Sequence, residues 1–316
     1  MSKDNEFIPE DFEFENLVKK AKRKSTIKTV LISLVISLFV ITALYVVGDW
    51  VMKVKMSKEL EYDTNWTSIQ GANIEEQGTS YDYTFFTAKS TRKIVKRVGN
   101  IPTPWQNEEK MFTVLGTSRI VNNGGFSATG KITDKRIPFY FEGERVIEFY
   151  HPQGTYNYLF DDRELLPKMD DNTVAELAFS FDKAYSVKEI ENIFKDHAAW
   201  FWVDTYSQED IEEHNEINQL TREHGIIGDS AFGFPVDQEP MSFITTLERL
   251  KADGGQYEES ASEIFLNITN GNQEELIPEN LDIIGVVVTG TPSELKKYQD
   301  VPIIRGAILG ATTDKY

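Results

Sequence analysis

Twenty consecutive residues, Thr29 to Gly48, carry no charged side chain, and no other feature of the 316-residue chain constrains its architecture as strongly. The run, TVLISLVISLFVITALYVVG, is dominated by Leu, Ile and Val, with Thr29, Ser33, Ser37 and Thr42 as its small polar residues. At about 1.5 Å per residue it makes a helix of about 30 Å, the hydrocarbon thickness of a bilayer. Isolated hydroxyls cost little there, because Ser and Thr bond back to their own helix carbonyls. A soluble core helix of this length would show a polar face, and this one has none. A cleaved signal peptide would have an apolar region of roughly 7–15 residues followed by a small-residue cleavage site. Tyr45-Val46-Val47-Gly48-Asp49-Trp50 offers no such site. The reading is an uncleaved signal anchor, a single transmembrane helix over residues 29–48.

Flanking charge sets the expected orientation. Lys19, Lys20, Lys22, Arg23, Lys24 and Lys28 precede the run, whereas Lys53, Lys55 and Lys58 follow it. Six bases against three favour a cytoplasmic amino terminus, which puts the bulk of the chain outside. Tyr45, Trp50 and Trp66 suit the far interface.

The formal charge is −18, and the first 28 residues, with seven bases and six acids, leave −19 on the remainder. Such a surface repels nucleic acid, so direct DNA binding by the large part is not expected. With no cysteine the chain has no disulfide, thiolate nucleophile or Cys-ligated zinc. Exported eukaryotic domains of this size often carry disulfides; Gram-positive surface domains often do not.

The tail, residues 1–28, has helix logic. Pro9 suits a first helical position, acids Glu10, Asp11, Glu13 and Glu15 come early, and the bases come late, matching the helix dipole. Phe14, Leu17, Val18 and Ala21 recur at helical spacing, with Phe7, Ile8 and Phe12 leading in. One reading is a juxtamembrane helix resting its stripe on lipid. The other is a helix that seeks a groove on a cytoplasmic protein. Acids among the aromatics fit poorly against an anionic leaflet and favour the protein partner.

Beyond the anchor the chain divides at about residue 168. From Tyr62 to about Asn157, YDYTFFTAKSTRKIVKRV, MFTVLGTSRIV, RIPFYFEGERVIEFYH and TYNYLF are rich in β-branched and aromatic residues, with turn clusters between them. Residues 49–168 therefore read as a mostly antiparallel β region. In residues 169–316 a strand-like run repeatedly leads to a hydroxyl residue with an acid three positions on: Ser186 with Glu189, Ser207 with Asp210, Thr291 with Glu294. Each pair is a capping box opening a helix. FITTLERLKADGG adds a helix and PIIRGAILGATT a last strand, giving an α+β domain of about four strands and three or four helices. The fold class is α+β throughout.

Nothing in the sequence demands catalysis, and no metal or cofactor is expected. GVVVTGTPSEL sets glycines between strand and helix, but lacks both G-x-G-x-x-G and the Lys-Ser/Thr of a P-loop. A tight turn and cap account for it. His151, His197, His214 and His224 form no H-E-x-x-H pattern. Adjacent carboxylates are common, as 51 acids dictate, and Asp204 within WFWVDTYS is the best buried candidate, read as a structural hydrogen bond.

FENLVKKAKRKSTIKTVLISLVIS, followed by the PTPW of Pro102 to Trp105, resembles the amino-terminal module of the bacterial sigma-factor-regulator family. AELAFSFDKAYSVKEIENIF, AWFWVDTYS, Gly233-Phe234-Pro235, GVVVTGTPSELKKY and RGAILG resemble its carboxyl-terminal module. The resemblance implies a membrane-bound anti-sigma factor of Gram-positive bacteria. Such a protein holds an extracytoplasmic-function sigma factor inactive at the inner face, while an outer domain answers to envelope stress. On that reading Phe12, Phe14, Leu17, Val18 and Ala21 are the partner contacts. Many anti-sigma factors have a larger cytoplasmic domain, often with a His and Cys zinc motif; this chain has neither. A tail of this size buries one amphipathic helix, so tight capture calls for a second membrane protein or dimerisation. A ligand-binding or sensor module, anchored in the membrane and without sigma-factor contact, is the alternative.

Overall fold

A computed structural model describes residues 10–128, 137–220, 225–271 and 275–315. Its first element, α1, runs unbroken from Glu10 to Ile69, 60 residues or about 90 Å. The charge-free run occupies its middle, and its side chains are exposed except toward the end, where Tyr45 and Gly48 are partly covered. The Thr29 and Thr42 hydroxyls donate to the Ser25 and Leu38 carbonyls at 3.1 and 2.9 Å, which removes their polarity from the helix surface. By length and composition this part of α1 is able to cross a membrane.

The strands expected from Tyr62 begin later. EYDTNWTSI stays helical because α1 gains a buried face there: Met52, Met56 and Leu60 lie four residues apart and Ile69 enters the main core. Tertiary packing overrides the weak helix propensity of Thr, Asn and Trp. The chain then turns through Asn73, whose φ of 59° is left-handed, into a four-stranded antiparallel sheet. Its strands are β1 (Ile74–Tyr83), β2 (Thr87–Val98), β3 (Ile101–Thr113) and β4 (Ser118–Asn122). The outer part of α1 lies across this sheet, with Met52, Met56 and Leu60 against Ala88 and Phe112.

A small three-stranded sheet follows, β5 (Phe126–Ala128), β6 (Phe139–Phe141) and β7 (Glu144–Arg145). Then comes β8 (Glu148–Phe149). TYNYLF forms no strand; the segment runs beside the last strand, with Phe160 accepting a hydrogen bond from Ala307 N at 3.0 Å.

The remainder is built on β9 (Thr173–Tyr185), β10 (Ala198–Val203), β12 (Gly233–Pro235), β13 (Ile283–Gly290) and β14 (Ile304–Asp314). They form an antiparallel sheet of order β12-β10-β13-β9-β14, while the short β11 (Ile226–Ile227) pairs with β8. Gly233-Phe234-Pro235 supplies the strand beyond the expected four. Helices α2 (Val187–Phe194), α4 (Pro240–Asp253), α5 (Glu258–Ile268) and α6 (Pro292–Leu295) cover one face. Phe201, Leu177, Phe179 and Val288 point to that side; Trp200, Trp202, Ala178 and Val287 point to the other, where Ile147 and Phe149 cover them. Both faces are dry, so AELAFSF and IIGVVV read as continuous apolar runs instead of alternating ones. Ser186 with Glu189 and Thr291 with Glu294 form full capping boxes. Ser207 and Asp210 cap α3 (Gln208–Leu220) in the same way, through bonds of 2.7 to 3.1 Å.

Candidate partner-binding helix and its buried junction

The amino-terminal turns of α1 present Phe14, Leu17, Val18 and Ala21, all exposed, at spacings of three and four. At about 100° per residue they fall within one stripe of roughly 100°. Phe12 lies on the same helix about 160° from Phe14, on its other side; its side chain is outside the described residues, as are Phe7, Ile8 and Pro9. Glu15 and Lys19 form an exposed i,i+4 pair at 3.6 Å, of the kind that adds little stability. An apolar stripe that no element covers among the described residues is suited to a partner's groove.

At its other end the same helix is clamped. Lys110 of β3 reaches Glu59 at 2.8 Å and Asp63 at 3.1 Å, both on α1. Asp63 also accepts from Gln256 Nε2 at 3.2 Å and Tyr257 Oη at 2.9 Å, so one carboxylate joins helix, first sheet and carboxyl-terminal module. Burial alone would lower the Lys110 ammonium, but the two acids outweigh it and hold its pKa above the ordinary lysine value. Glu59 shows the mirror effect: burial raises it, Lys110 and the Ser118 hydroxyl more than reverse that, and it lies below the usual range. Arg92 of β2 binds Glu76 at 3.0 Å, Glu108 at 3.3 Å and Thr67 of α1 at 3.0 Å. Trp66 stacks on Tyr257 with centroids 4.6 Å apart and meets Phe232 edge-on at 5.4 Å. Its indole N–H donates to Gln70.

The two sheets are joined by an ion pair with no solvent exposure. Lys96 of β2 meets both Glu176 oxygens of β9, at 3.0 and 3.2 Å, with each side chain 0% exposed. Glu176 further accepts from Asn73 Nδ2 at 2.9 Å and Ala311 N at 3.2 Å. The ammonium lies 4.4 Å from the Trp105 ring centre, within cation–π range. Trp105 donates to Asp229, whose burial pushes its carboxyl up and whose second oxygen has no hydrogen-bond partner among the described residues. KSTRKIVKRV carries five basic residues, yet β2 turns Arg92 and Lys96 to a covered face, where both are interior.

Other sequence candidates resolve as structural. Asp204 accepts from His151 Nε2 at 3.2 Å and Tyr206 N at 3.3 Å. His151 Nδ1 accepts from Gln153 N, which leaves the proton on Nε2. His214 accepts from Tyr156 Oη at 3.1 Å, and burial together with His151 lowers its pKa. His224 lies outside the described residues. Among those described, no group of three or more metal-ligating residues occurs. A cleft of about 970 Å³ opens between the modules, lined by residues including Arg97, His197, Asp237, Thr289, Glu294 and Lys315.

Residues 15–103 match the model of the sigma factor regulator N-terminal family, and residues 166–311 that of the sigma factor regulator C-terminal family. The two matches run in chain order and cover most of the chain. The chain belongs to the sigma-factor-regulator family. Its membership indicates an anti-sigma factor, a regulator of transcription with a sigma factor as partner. The family is regulatory, not enzymatic. Comparison with curated proteins gave no match, and neither did comparison with solved structures. In this regulator the N-terminal match takes in Leu17, Val18 and Ala21 of the stripe, the apolar run, the clamp acids Glu59 and Asp63, and Lys96, while Phe14 and Lys110 lie just outside it. The C-terminal match takes in Glu176 and the five-stranded sheet. The buried ion pair therefore ties one family module to the other.

Proposed function

We propose that this regulator is a single-pass membrane anti-sigma factor acting through its short tail. Residues 1–28 lie in the cytoplasm and hold an extracytoplasmic-function sigma factor inactive, with Phe14, Leu17, Val18 and Ala21 as the contact stripe and Phe12 as a further contact. Residues 29–48 cross the membrane. The region of residues 49–168 and the domain of residues 169–316 sit outside and respond to the state of the envelope, as befits a Gram-positive cell. A second membrane protein or a second copy enlarges the small contact area of the tail.

One observation carries the reading: α1 is a single uninterrupted helix with an uncovered apolar stripe at one end and a buried, ion-paired clamp at the other. A change in the outer modules has a stiff path to the stripe. Capture from detergent-solubilised membranes tests it. The full chain should retain a sigma factor, whereas a chain lacking residues 1–25, or carrying F14D and L17D, should lose it while still inserting. Retention by both variants would overturn the tail's role. The cleft between the modules favours the second reading, a membrane-anchored ligand-binding module without sigma-factor contact. Capture that never depends on the tail would select it.

A further inference from the structure

Two strand connections of the first sheet come back to α1 inside the apolar run. The β1–β2 connection carries Phe85 and Phe86, and Phe85 stacks face to face on Tyr45 at 4.3 Å between centroids, with Phe86 edge-on to Tyr45 at 6.3 Å. The β3–β4 connection lies beside it: Val114 N donates to Phe86 O at 3.0 Å. It is pinned to the helix where Lys55 Nζ donates to Gly116 O at 2.7 Å. Gly48 permits the approach, since a Cβ there would stand 2.7 Å from the Val114 carbonyl oxygen.

Tyr45 precedes Gly48 by three residues, about 4.5 Å along the axis. The aromatic stack is therefore level with the charge-free run, not beyond it. The connections match that depth in composition: residues 83–88 (YTFFTA) and 111–118 (MFTVLGTS) carry no charged side chain. Their apolar groups still face outward, Phe85 being 65% and Leu115 87% exposed, beside exposed Phe86, Tyr81 and Tyr83. An exposed apolar patch of this kind marks an interaction surface, and this one adjoins the charge-free run at Tyr45 and Gly48, beside exposed Leu44 and Val46. Amphipathic aromatics flanking it suit the headgroup boundary.

We infer that the two connections form a foot embedded in the outer-side leaflet, with Phe85, Phe86 and Leu115 among acyl chains and Tyr81 and Tyr83 at the headgroups. This rests on α1 crossing the bilayer, and it names the lipid itself as a partner of the outer modules. Because the foot grips α1 at Tyr45 and Gly48, changes in leaflet packing act on the helix directly.

The absence of native cysteine makes the test clean. Full-length protein carrying one cysteine at Thr84, Phe85, Leu115, Leu38 or Glu259 is labelled with an environment-sensitive fluorophore. It is then reconstituted into vesicles of equimolar phosphatidylcholine and phosphatidylglycerol with brominated acyl chains. Labels at positions 84, 85 and 115 should lose fluorescence together with the mid-span label at 38, while the label at 259 should not. Thr84→Cys keeps both rings, so a fold disturbed at Phe85 does not decide the outcome. Loss at 38 alone would overturn the foot and leave the crossing standing. No loss at any position would overturn the crossing as well.

Discussion

Replacing Lys96 by methionine keeps most of the side chain's length and removes the ammonium from a site with no solvent exposure. Glu176 would then keep only Asn73 Nδ2 and Ala311 N, at 2.9 and 3.2 Å, to offset a buried charge. Breaking a buried pair from one side costs about 3–5 kcal/mol, a large share of a total stability of about 5–15 kcal/mol. Glu176→Gln should cost toward the lower end of that range, because the stranded ammonium still faces the Trp105 ring at 4.4 Å. The double variant removes both charges, and the introduced amide oxygen can still accept from one of the two remaining donors. It should therefore be less damaged than the sum of the singles, with a coupling of about 2–3 kcal/mol. Denaturant unfolding of the four proteins in one detergent, with wild type as the fourth corner, measures this directly. A K96M loss below about 0.5 kcal/mol, the level of an ordinary surface change, would refute the claim that this pair ties the modules together. Additive singles would do the same.

Two further outcomes follow from the titrating groups. Asp229→Asn should stabilise the protein by about 1 kcal/mol at pH 7, since Asp229 ionises in a buried site with one oxygen unpartnered. Its folded pKa is raised, so the advantage should shrink as pH falls and the native carboxyl protonates; an advantage that grows in acid would contradict this. Glu59 and Glu76 are held below the usual range despite burial, by Lys110 and by Thr79 and Arg92. Depressed carboxylates stabilise above their unfolded value of about 4.3 and lose that contribution as pH drops through the folded value. Melting temperature should therefore fall below about pH 4.5, with a shallower fall in Glu59→Gln.

The elements most legible in sequence were those set by local rules. A charge-free run long enough to span a bilayer reads as one helix, and three hydroxyl–acid pairs read as caps. The β-branched residues of KSTRKIVKRV, Thr91, Ile94, Val95 and Val98, read as a strand, which β2 is. What escaped was set by distant partners. Residues 62–69 look strand-like, yet Asp63, Trp66 and Ile69 are held in helix by Lys110, Tyr257 and the main core. Lys96 and Lys110 look solvated until the acids that pair with them, 80 residues later or 47 earlier, are brought alongside. The tail stripe was visible from spacing alone.

Whether the stripe itself meets the sigma factor can be read in living cells, with a photo-crosslinking amino acid placed at Val18 of the intact protein and irradiated there. A covalent adduct containing a sigma factor should form from Val18 and not from Glu259 on α5. No sigma-factor adduct from Val18, or equal adducts from both positions, would contradict the proposed contact.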